Sequence, residues 1–162
     1  MLDISPESIR TVRLAASHLW KRYRSQKLGI LDMVLEMNDD TKINVELQIR
    51  MQKHWVKRPL FYLSRMFEED LKIGQDYSRL KKCISIGILD FKLLEGEECH
   101  SVYRLRNERG EELTALWYIH IIELGKDSCG DRLDGWIRLF NAKEKEELAM
   151  LAAKYRGLTE AA

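Results

Sequence analysis

The sequence contains few of the residues that break or cross-link a chain: three Cys, two Pro and nine Gly among 162 residues. The scarcity of Pro and Gly excludes a collagen-like or low-complexity protein. Cys83, Cys99 and Cys129 are widely spaced and form no C-x-x-C pair, which argues against a zinc knuckle or a dithiol redox site. We therefore expect free, reduced thiols in a single domain, residues 1–162, whose 45% hydrophobic content can fill a core.

Long hydrophobic runs are absent as well. No segment approaches the about eighteen uncharged apolar residues of a membrane-spanning helix. The first ten residues carry Asp3 and Glu7 and lack the apolar stretch and cleavage site of a secretory signal. The sequence therefore predicts a cytoplasmic protein without a membrane partner. The motifs G-x-x-x-x-G-K, G-x-G-x-x-G and G-x-S-x-G do not occur, so no organic cofactor is expected.

The net charge of +1 hides an uneven distribution of charge along the chain. Residues 10–65 contain twelve Lys or Arg and five acidic residues, whereas residues 66–162 contain fifteen basic and nineteen acidic residues. A basic segment of this kind permits a polyanionic partner on one face, although a solvated surface produces the same asymmetry.

Two apolar-rich runs, residues 28–37 and 42–49, flank the turn-forming segment Asn38-Asp39-Asp40-Thr41, which predicts a β-hairpin. In the second run apolar and polar residues alternate, so one face of the strand is apolar and the other is polar. The polar positions are Asn44, Glu46, Gln48 and Arg50.

The remainder of the chain is predicted to form a helix, a buried strand, a second hairpin and C-terminal helices. These elements cover residues 51–73, 82–91, 100–124 and 133 onward, with 141–162 as a C-terminal helical extension. Pro59 interrupts the first helix, so we expect a kink or a new start near Lys57, and Gly74 is a plausible stop.

The strongest candidate for chemistry lies in the first hairpin. Asp32 sits in an apolar run, where a carboxylate costs free energy unless it meets a metal, a donor or water. Two hairpin strands can bring Asp32 beside Glu46, and two carboxylates with bound waters are a site that Mg²⁺ accepts. Gln48 lies on the same strand face as Glu46. The alternative reading is a polar strand face against solvent, with Asp32 closing a strand.

The hairpin is followed by a cationic segment that contains Lys53, Lys57 and Arg58. A metal flanked by cations that bind phosphate is what phosphodiester hydrolysis requires. We therefore identify these three residues as candidate DNA-binding residues.

These segments resemble the PD-(D/E)XK nuclease family transposases, also called recombination-promoting nucleases. The matching segments, in order along residues 27–140, are K-L-G-I-L-D at 27–32, K-I-N-V-E-L-Q at 42–48, K-R-P-L-F-Y at 57–62, G-Q-D-Y at 74–77, I-S-I-G-I-L-D-F at 84–91, H-S-V-Y-R-L at 100–105 and W-Y-I-H-I-I-E-L at 117–124. Several motifs in a fixed order are more specific than any one of them.

The resemblance implies an α/β fold with a restriction-endonuclease-like core, a mixed β-sheet flanked by helices. It also implies DNA cleavage that depends on Mg²⁺, with Mn²⁺ as a substitute, and a role in recombination or transposition. Asp32 and Glu46 would be catalytic metal ligands. Gln48 stands where the wider superfamily has lysine and would orient a water without supplying positive charge. Arg58 and Tyr62 match the family's R-x-x-x-Y and could supply the missing cation or hold the strand in place. Arg58 could equally pair with Glu46 or Asp32 inside the fold. The resemblance leaves open a homodimer.

One departure concerns the N-terminus, because family members carry a first helix before these motifs. The twenty-six residues before Lys27 indicate a truncated copy. If residues 5–20 fold as a helix, Val12 and Trp20 help to cover an apolar strip on the sheet, which includes Val34 and Val45.

Two alternatives to an active nuclease remain open at this point. The first is a catalytically inactive remnant that folds or binds DNA without cleaving it. The second is a toxin-like or interaction protein without nuclease activity. A separate question concerns His100, His120 and the adjacent Cys99, which could bind zinc if the second hairpin places them together, although such residues more often make ordinary sheet contacts.

Overall fold

The computed structural model describes residues 5–14, 32–69 and 71–126, which form a six-stranded mixed sheet with one α-helix. The elements are β1 Ile9–Leu14, β2 Asp32–Met37, β3 Lys42–Gln48, α1 Lys57–Glu68, β4 Cys83–Leu89, β5 His100–Arg104 and β6 Trp117–Glu123. Single 3-10 turns occur at Pro6–Ser8 and Tyr77–Arg79. This architecture confirms the α/β fold class and is consistent with a restriction-endonuclease-like core.

The strands follow the order β1-β2-β3-β4-β6-β5 across the sheet. Both predicted hairpins are present, because β2 pairs antiparallel with β3 and β5 pairs antiparallel with β6. Asp40, in the turn of the first hairpin, has φ 64°, a left-handed conformation that Asn and Asp tolerate better than most residues.

The middle of the sheet is parallel: β4 lies between β3 and β6 and runs in the same direction as both. Its sequence, Cys83-Ile-Ser-Ile-Gly-Ile-Leu89, is apolar on both faces, as expected for a strand covered from two sides. The prediction of a buried central strand over residues 82–91 is therefore confirmed.

The N-terminal segment differs from the prediction. Residues 9–14 form strand β1, which pairs antiparallel with β2, and not part of a helix over residues 5–20. Arg10 and Arg13 on β1 form ion pairs with Asp40 and Glu36 respectively. The alternation of Ile9, Val12 and Leu14 with polar residues is only approximate, and the interaction with β2 decides the outcome.

Helix α1 is shorter than the predicted helix over residues 51–73. It begins at Lys57, as the position of Pro59 suggests, and it ends at Glu68, before Gly74. Pro59 is the third residue of α1, where a backbone N–H would have no partner within the helix, so proline costs little there. The N-cap residue, Val56, makes no side-chain capping bond.

Helix α1 packs on one face of the sheet through a buried apolar stripe. Leu63 and Met66 contact Cys83, and Phe67 meets the ring of Trp117 edge-on at a centroid distance of 5.4 Å. Val34 belongs to this cluster, whereas Val45 packs on the opposite face. The predicted apolar strip that combined Val34 with Val45 is therefore wrong, because the two residues lie on different faces.

The cysteine prediction is right for one residue and wrong for another. Cys83 is a buried free thiol, whereas Cys99 is disulfide-bonded. Cys129 lies outside the described residues, as do Trp20, the predicted helices from residue 133 and the extension at 141–162. In the part of the chain that the structure describes, no helix is long and apolar enough to span a membrane.

Candidate active site

The first hairpin brings the two candidate carboxylate residues to the same point of the sheet. The backbone register of β2 and β3 places Asp32 directly opposite Glu46. Residues opposite each other in an antiparallel pair have Cβ atoms about 4.5–5.5 Å apart. Fourteen residues of sequence separation therefore become nearest-neighbour positions, as the hairpin pattern predicted.

The polar face of β3 is buried, which overturns the alternative of a face against solvent. Asn44, Glu46 and Gln48 are 3%, 2% and 4% exposed respectively. Helix α1 and the segment before it cover this face. A row of three buried polar side chains costs free energy unless each finds partners, so it calls for a specific role.

Arg58 provides a cation for the buried Glu46 carboxylate. Its Nη2 atom lies 2.8 Å from Glu46 Oε1, and its Nη1 atom donates to Gln52 Oε1 at 3.3 Å. The guanidinium also lies over the ring of Tyr62, 5.9 Å from the centroid. The R-x-x-x-Y pair therefore lies on one face of α1, because residues four apart share a helix face, and its Arg58 contacts Glu46.

Gln48 extends the same row toward the end of β3. Its Nε2 atom donates to the Arg50 carbonyl at 2.9 Å, which fixes the orientation of the amide. The buried Oε1 atom has no hydrogen-bond partner within the described residues. A fixed, unpaired acceptor beside a carboxylate can accept a hydrogen bond from a water molecule.

The contact between Trp55 and Gly87 packs the segment before α1 against the sheet next to Glu46. Trp55 is 2% exposed and its ring lies on Gly87, the β4 residue in register with Glu46. A Cβ atom on Gly87 would lie 2.5 Å from Trp55 Cη2, so only glycine allows this approach. This contact gives the segment between β3 and α1 a fixed position above the sheet.

The candidate DNA-binding residues divide into two groups. Lys53 and Lys57 are exposed, in the segment before α1 and at its first position. Arg58 is partly buried, with a side-chain exposure of 27%, and faces Glu46. Arg58 therefore lies inside the site, whereas the two lysines lie on the surface beside it.

Two buried polar residues did not emerge from the sequence. Asn44 shares the face of Glu46, and its Nδ2 atom is buried without a hydrogen-bond partner among the described residues. The alternation of polar residues along β3 is the signal that could have identified it. Glu123 ends the apolar strand β6, as Asp90 follows the apolar strand β4, and no pattern in the sequence distinguishes the role of Glu123.

The contacts of Glu123 are structural. Its Oε1 atom accepts hydrogen bonds from the N–H groups of Leu93 and Leu94, and its Oε2 atom lies 2.6 Å from Lys126 Nζ. Burial raises the pKa of this carboxyl, but the hydrogen bonds from Lys126 and the two N–H groups outweigh burial and lower it below its usual value. Glu123 therefore holds the loop after β4 in place.

The two histidines of the second hairpin meet, although not directly opposite each other. In the register His120 faces Val102, so His100 is its diagonal neighbour. His100 Nε2 and His120 Nδ1 share a hydrogen bond of 3.0 Å, and the rings stack at 5.2 Å. Burial, together with the charge of His100, lowers the pKa of His120 to about 4. Because Cys99 is disulfide-bonded, it offers no thiolate for a zinc site beside these histidines.

The residues of the first hairpin suit a hard divalent cation. A buried carboxylate at Glu46 and the aspartate position opposite it form an oxygen donor pair of the kind Mg²⁺ takes together with waters, and Gln48 Oε1, which has no partner among the described residues, could accept a hydrogen bond from such a water. Among the side chains that the structure describes, no three His, Cys, Asp or Glu residues converge. Waters or substrate would have to complete the coordination shell.

Comparison with known families finds a match over the whole chain. The family described as PD-(D/E)XK nuclease family transposase matches residues 1–162. Comparisons with curated proteins and with solved structures find no match. The family match extends beyond residues 27–140, where the sequence motifs were found.

Proposed function

This chain belongs to the PD-(D/E)XK nuclease family transposases, and on that premise we propose that it is a Mg²⁺-dependent DNA endonuclease. Hydrolysis of phosphodiester bonds would serve DNA recombination or transposition. The observation that carries the proposal is the register that pairs Asp32 with Glu46 on a buried polar face.

Asp32 and Glu46 would hold the cation, with Mn²⁺ as a substitute for Mg²⁺. A bound divalent cation lowers the pKa of a coordinated water and neutralises charge on the phosphate. Gln48 Oε1, fixed by the bond from Nε2 to Arg50, would accept a hydrogen bond from the attacking water and orient it.

Arg58 supplies positive charge that Gln48 lacks. In the wider superfamily a lysine stands at the position of Gln48 and brings a cation to the transition state. Here the guanidinium of Arg58 lies 2.8 Å from Glu46 Oε1, close enough to act on a phosphate at the same site. We propose that Arg58 holds Glu46 in position and stabilises the negative charge that develops on the phosphate.

The exposed Lys53 and Lys57 would bind the DNA backbone outside the site. Phosphate contacts of this kind position the duplex and do not read its sequence. The proposed substrate is therefore double-stranded DNA, bound without strong base preference through these residues.

Cleavage of supercoiled plasmid tests the proposal. Purified protein should relax or linearise the plasmid with Mg²⁺ or Mn²⁺ and lose all activity in excess chelator. Asp32→Asn and Glu46→Gln should each lower the cleavage rate by at least about 100-fold, because each replaces a negatively charged metal ligand with a neutral amide of similar shape. Glu97→Gln, on an exposed loop, is the matched control and should cleave as the wild type does.

Cleavage that survives chelator, or that persists in Glu46→Gln, would refute the proposal. A folded protein that binds DNA and shows no metal-dependent cleavage would instead identify the inactive remnant. Circular dichroism of each variant separates loss of a ligand from loss of the fold.

A further inference from the structure

The segment between β3 and α1 exposes apolar and cationic side chains beside the candidate active site. All five residues of the segment 50–54, here called the 50–54 turn, are exposed. Met51, at 61% exposure, has Arg50 on one side and Lys53 two residues further on. Ile49 and Val56, on either side of the turn, are 50% and 53% exposed. This concentration of exposed apolar surface marks a contact surface.

Side chains of the candidate site hold the 50–54 turn in place through hydrogen bonds. Gln48 Nε2 donates to the Arg50 carbonyl at 2.9 Å, and Arg58 Nη1 donates to Gln52 Oε1 at 3.3 Å. The backbone N–H of Trp55 donates to the Gln52 carbonyl at 3.1 Å, and the Trp55 ring packs against Gly87 of the sheet. The turn is therefore tied by hydrogen bonds to Gln48 and Arg58 of the candidate site.

Backbone strain is also stored in this turn. His54 has φ 70°, in the left-handed region that a histidine enters only at a cost of about 1 kcal/mol or more. Such conformations persist where the surrounding contacts impose them, and they cluster at functional sites.

The charge around the turn identifies the class of partner. No acidic residue occurs between Glu46 and Glu68, whereas the same stretch contains five Lys or Arg. A polyanion is the complementary partner. The cations can contact phosphates, whereas the exposed Met51 side chain offers a contact to an apolar part of the same polyanion. In DNA that part is the stacked bases.

We propose that the 50–54 turn enters a groove of the duplex and that Met51 inserts between neighbouring base pairs. Methionine is among the apolar residues that proteins use as wedges to unstack and kink DNA. Unstacking costs less at a mismatched or bulged step. The preferred substrate is therefore duplex DNA with a mismatch or bulge near the cleaved bond. This inference rests on the proposed function, because it takes DNA as the substrate.

Paired oligonucleotide duplexes test the wedge. One duplex is fully matched and the other carries a central two-base mismatch; binding is measured with Ca²⁺ and cleavage with Mg²⁺. The wild type should bind the mismatched duplex roughly tenfold more tightly. Met51→Ala should reduce this preference to less than about twofold and leave the binding of matched duplex nearly unchanged. The control is Leu113→Ala, which removes an exposed apolar side chain from the loop between β5 and β6.

A fluorescent 2-aminopurine beside the mismatch reports unstacking independently of cleavage. Its fluorescence should rise when the wild type binds and stay low with Met51→Ala. An unchanged mismatch preference in Met51→Ala would overturn the wedge and leave the nuclease proposal standing. A Met51-dependent preference without any cleavage would support the wedge and refute the nuclease. Absence of DNA binding by the folded protein would overturn both.

Discussion

At the scale of single residues, the contact between Trp55 and Gly87 is the tightest constraint near the site. A methyl group on Gly87 would meet the Trp55 ring at 2.5 Å, and the ring is fully buried, so neither side can give way cheaply. The two residues are 32 positions apart in sequence. The parallel register of β3 and β4 brings them together, so no local pattern could reveal their contact.

Gly87→Ala should therefore lower the free energy of unfolding by about 1–3 kcal/mol, the usual cost of overpacking a core. Urea denaturation followed by tryptophan fluorescence measures this change. Gly96→Ala is the control, since a Cβ there meets nothing within 4 Å. Equal stability of the two variants would contradict the packing described for Trp55.

The ion pair between Arg58 and Glu46 makes a second prediction at this scale. Arg58→Met should lower the free energy of unfolding by about 3 kcal/mol, because it removes a cation from beside a carboxylate that is 2% exposed. In a Glu46→Gln background the same change should cost much less, because residue 46 is then neutral and loss of the cation leaves no unpaired buried charge. Arg65→Met, on the exposed side of α1, is the control.

An equal cost of Arg58→Met in both backgrounds would show that the pair does not couple the two residues. Chemical denaturation of the four proteins in the cycle gives the coupling free energy directly. The Arg65→Met control separates this coupling from general effects of removing a helix cation.

At the scale of elements, the hairpins and the central strand could be predicted because each follows from a local pattern. The turn-forming residues at 38–41 predict the first hairpin, and alternation along β3 predicts its two faces. That both faces are buried does not follow from that alternation: the apolar face packs in a core with Met37 and Ile84, and the polar face is buried as well. The strand β1 was missed because its few apolar residues also fit a helical spacing.

The pairing of β5 with β6 predicts a pH effect through His120. The pKa of His120 in the folded protein is about 4, below its ordinary value of 6.5. As the pH falls below 6.5 the unfolded chain binds a proton that the folded protein does not. Stability from this residue is thus complete above pH 6.5 and decreases toward pH 4, by up to about 1.4 kcal/mol per pH unit.

Proton NMR of the imidazole groups measures the pKa directly. One histidine should titrate near pH 4, and its signal should vanish in His120→Gln. His54→Gln, at an exposed position, is the control and should leave that signal in place. A His120 signal that titrates near 6.5 would contradict the burial and the hydrogen bond with His100.

At the scale of the whole molecule, the cations before and at the start of α1 lie at the end of β3, beside the candidate site. DNA binding should weaken steeply with salt, because phosphate contacts release counterions. Replacing Lys53 and Lys57 with Gln should reduce the slope of log K against log salt by up to about 1.8, or about 0.9 per phosphate contact. Fluorescence anisotropy of a labelled duplex at several salt concentrations gives the slope.

Lys72 and Arg79 provide the matched control for this experiment. They are exposed in the loop between α1 and β4, at the opposite end of β3 and β4 from Gln48. The double change of these two residues to Gln should leave the slope unaltered. The reverse result, with Lys72 and Arg79 setting the slope, would place DNA on the other end of the sheet.

The candidate site shows what sequence alone can and cannot predict about the molecule. Asp32, Glu46 and Gln48 follow from a strand pattern and a family resemblance. The position of Arg58 does not, because it depends on how α1 crosses the sheet. The sequence leaves two roles open for Arg58, a DNA contact beside Lys53 and Lys57 or a cation inside the site, and its contacts with Glu46, Gln52 and Tyr62 match the second.

Calorimetric titration with Mn²⁺ tests most directly whether Asp32 and Glu46 share a cation. The wild-type protein should bind one Mn²⁺ tightly enough to titrate, and Asp32→Asn and Glu46→Gln should each weaken that binding by at least about tenfold. Glu97→Gln should bind Mn²⁺ as the wild type does. Unchanged affinity in Asp32→Asn or Glu46→Gln, with the fold intact, would show that Asp32 and Glu46 do not share a cation.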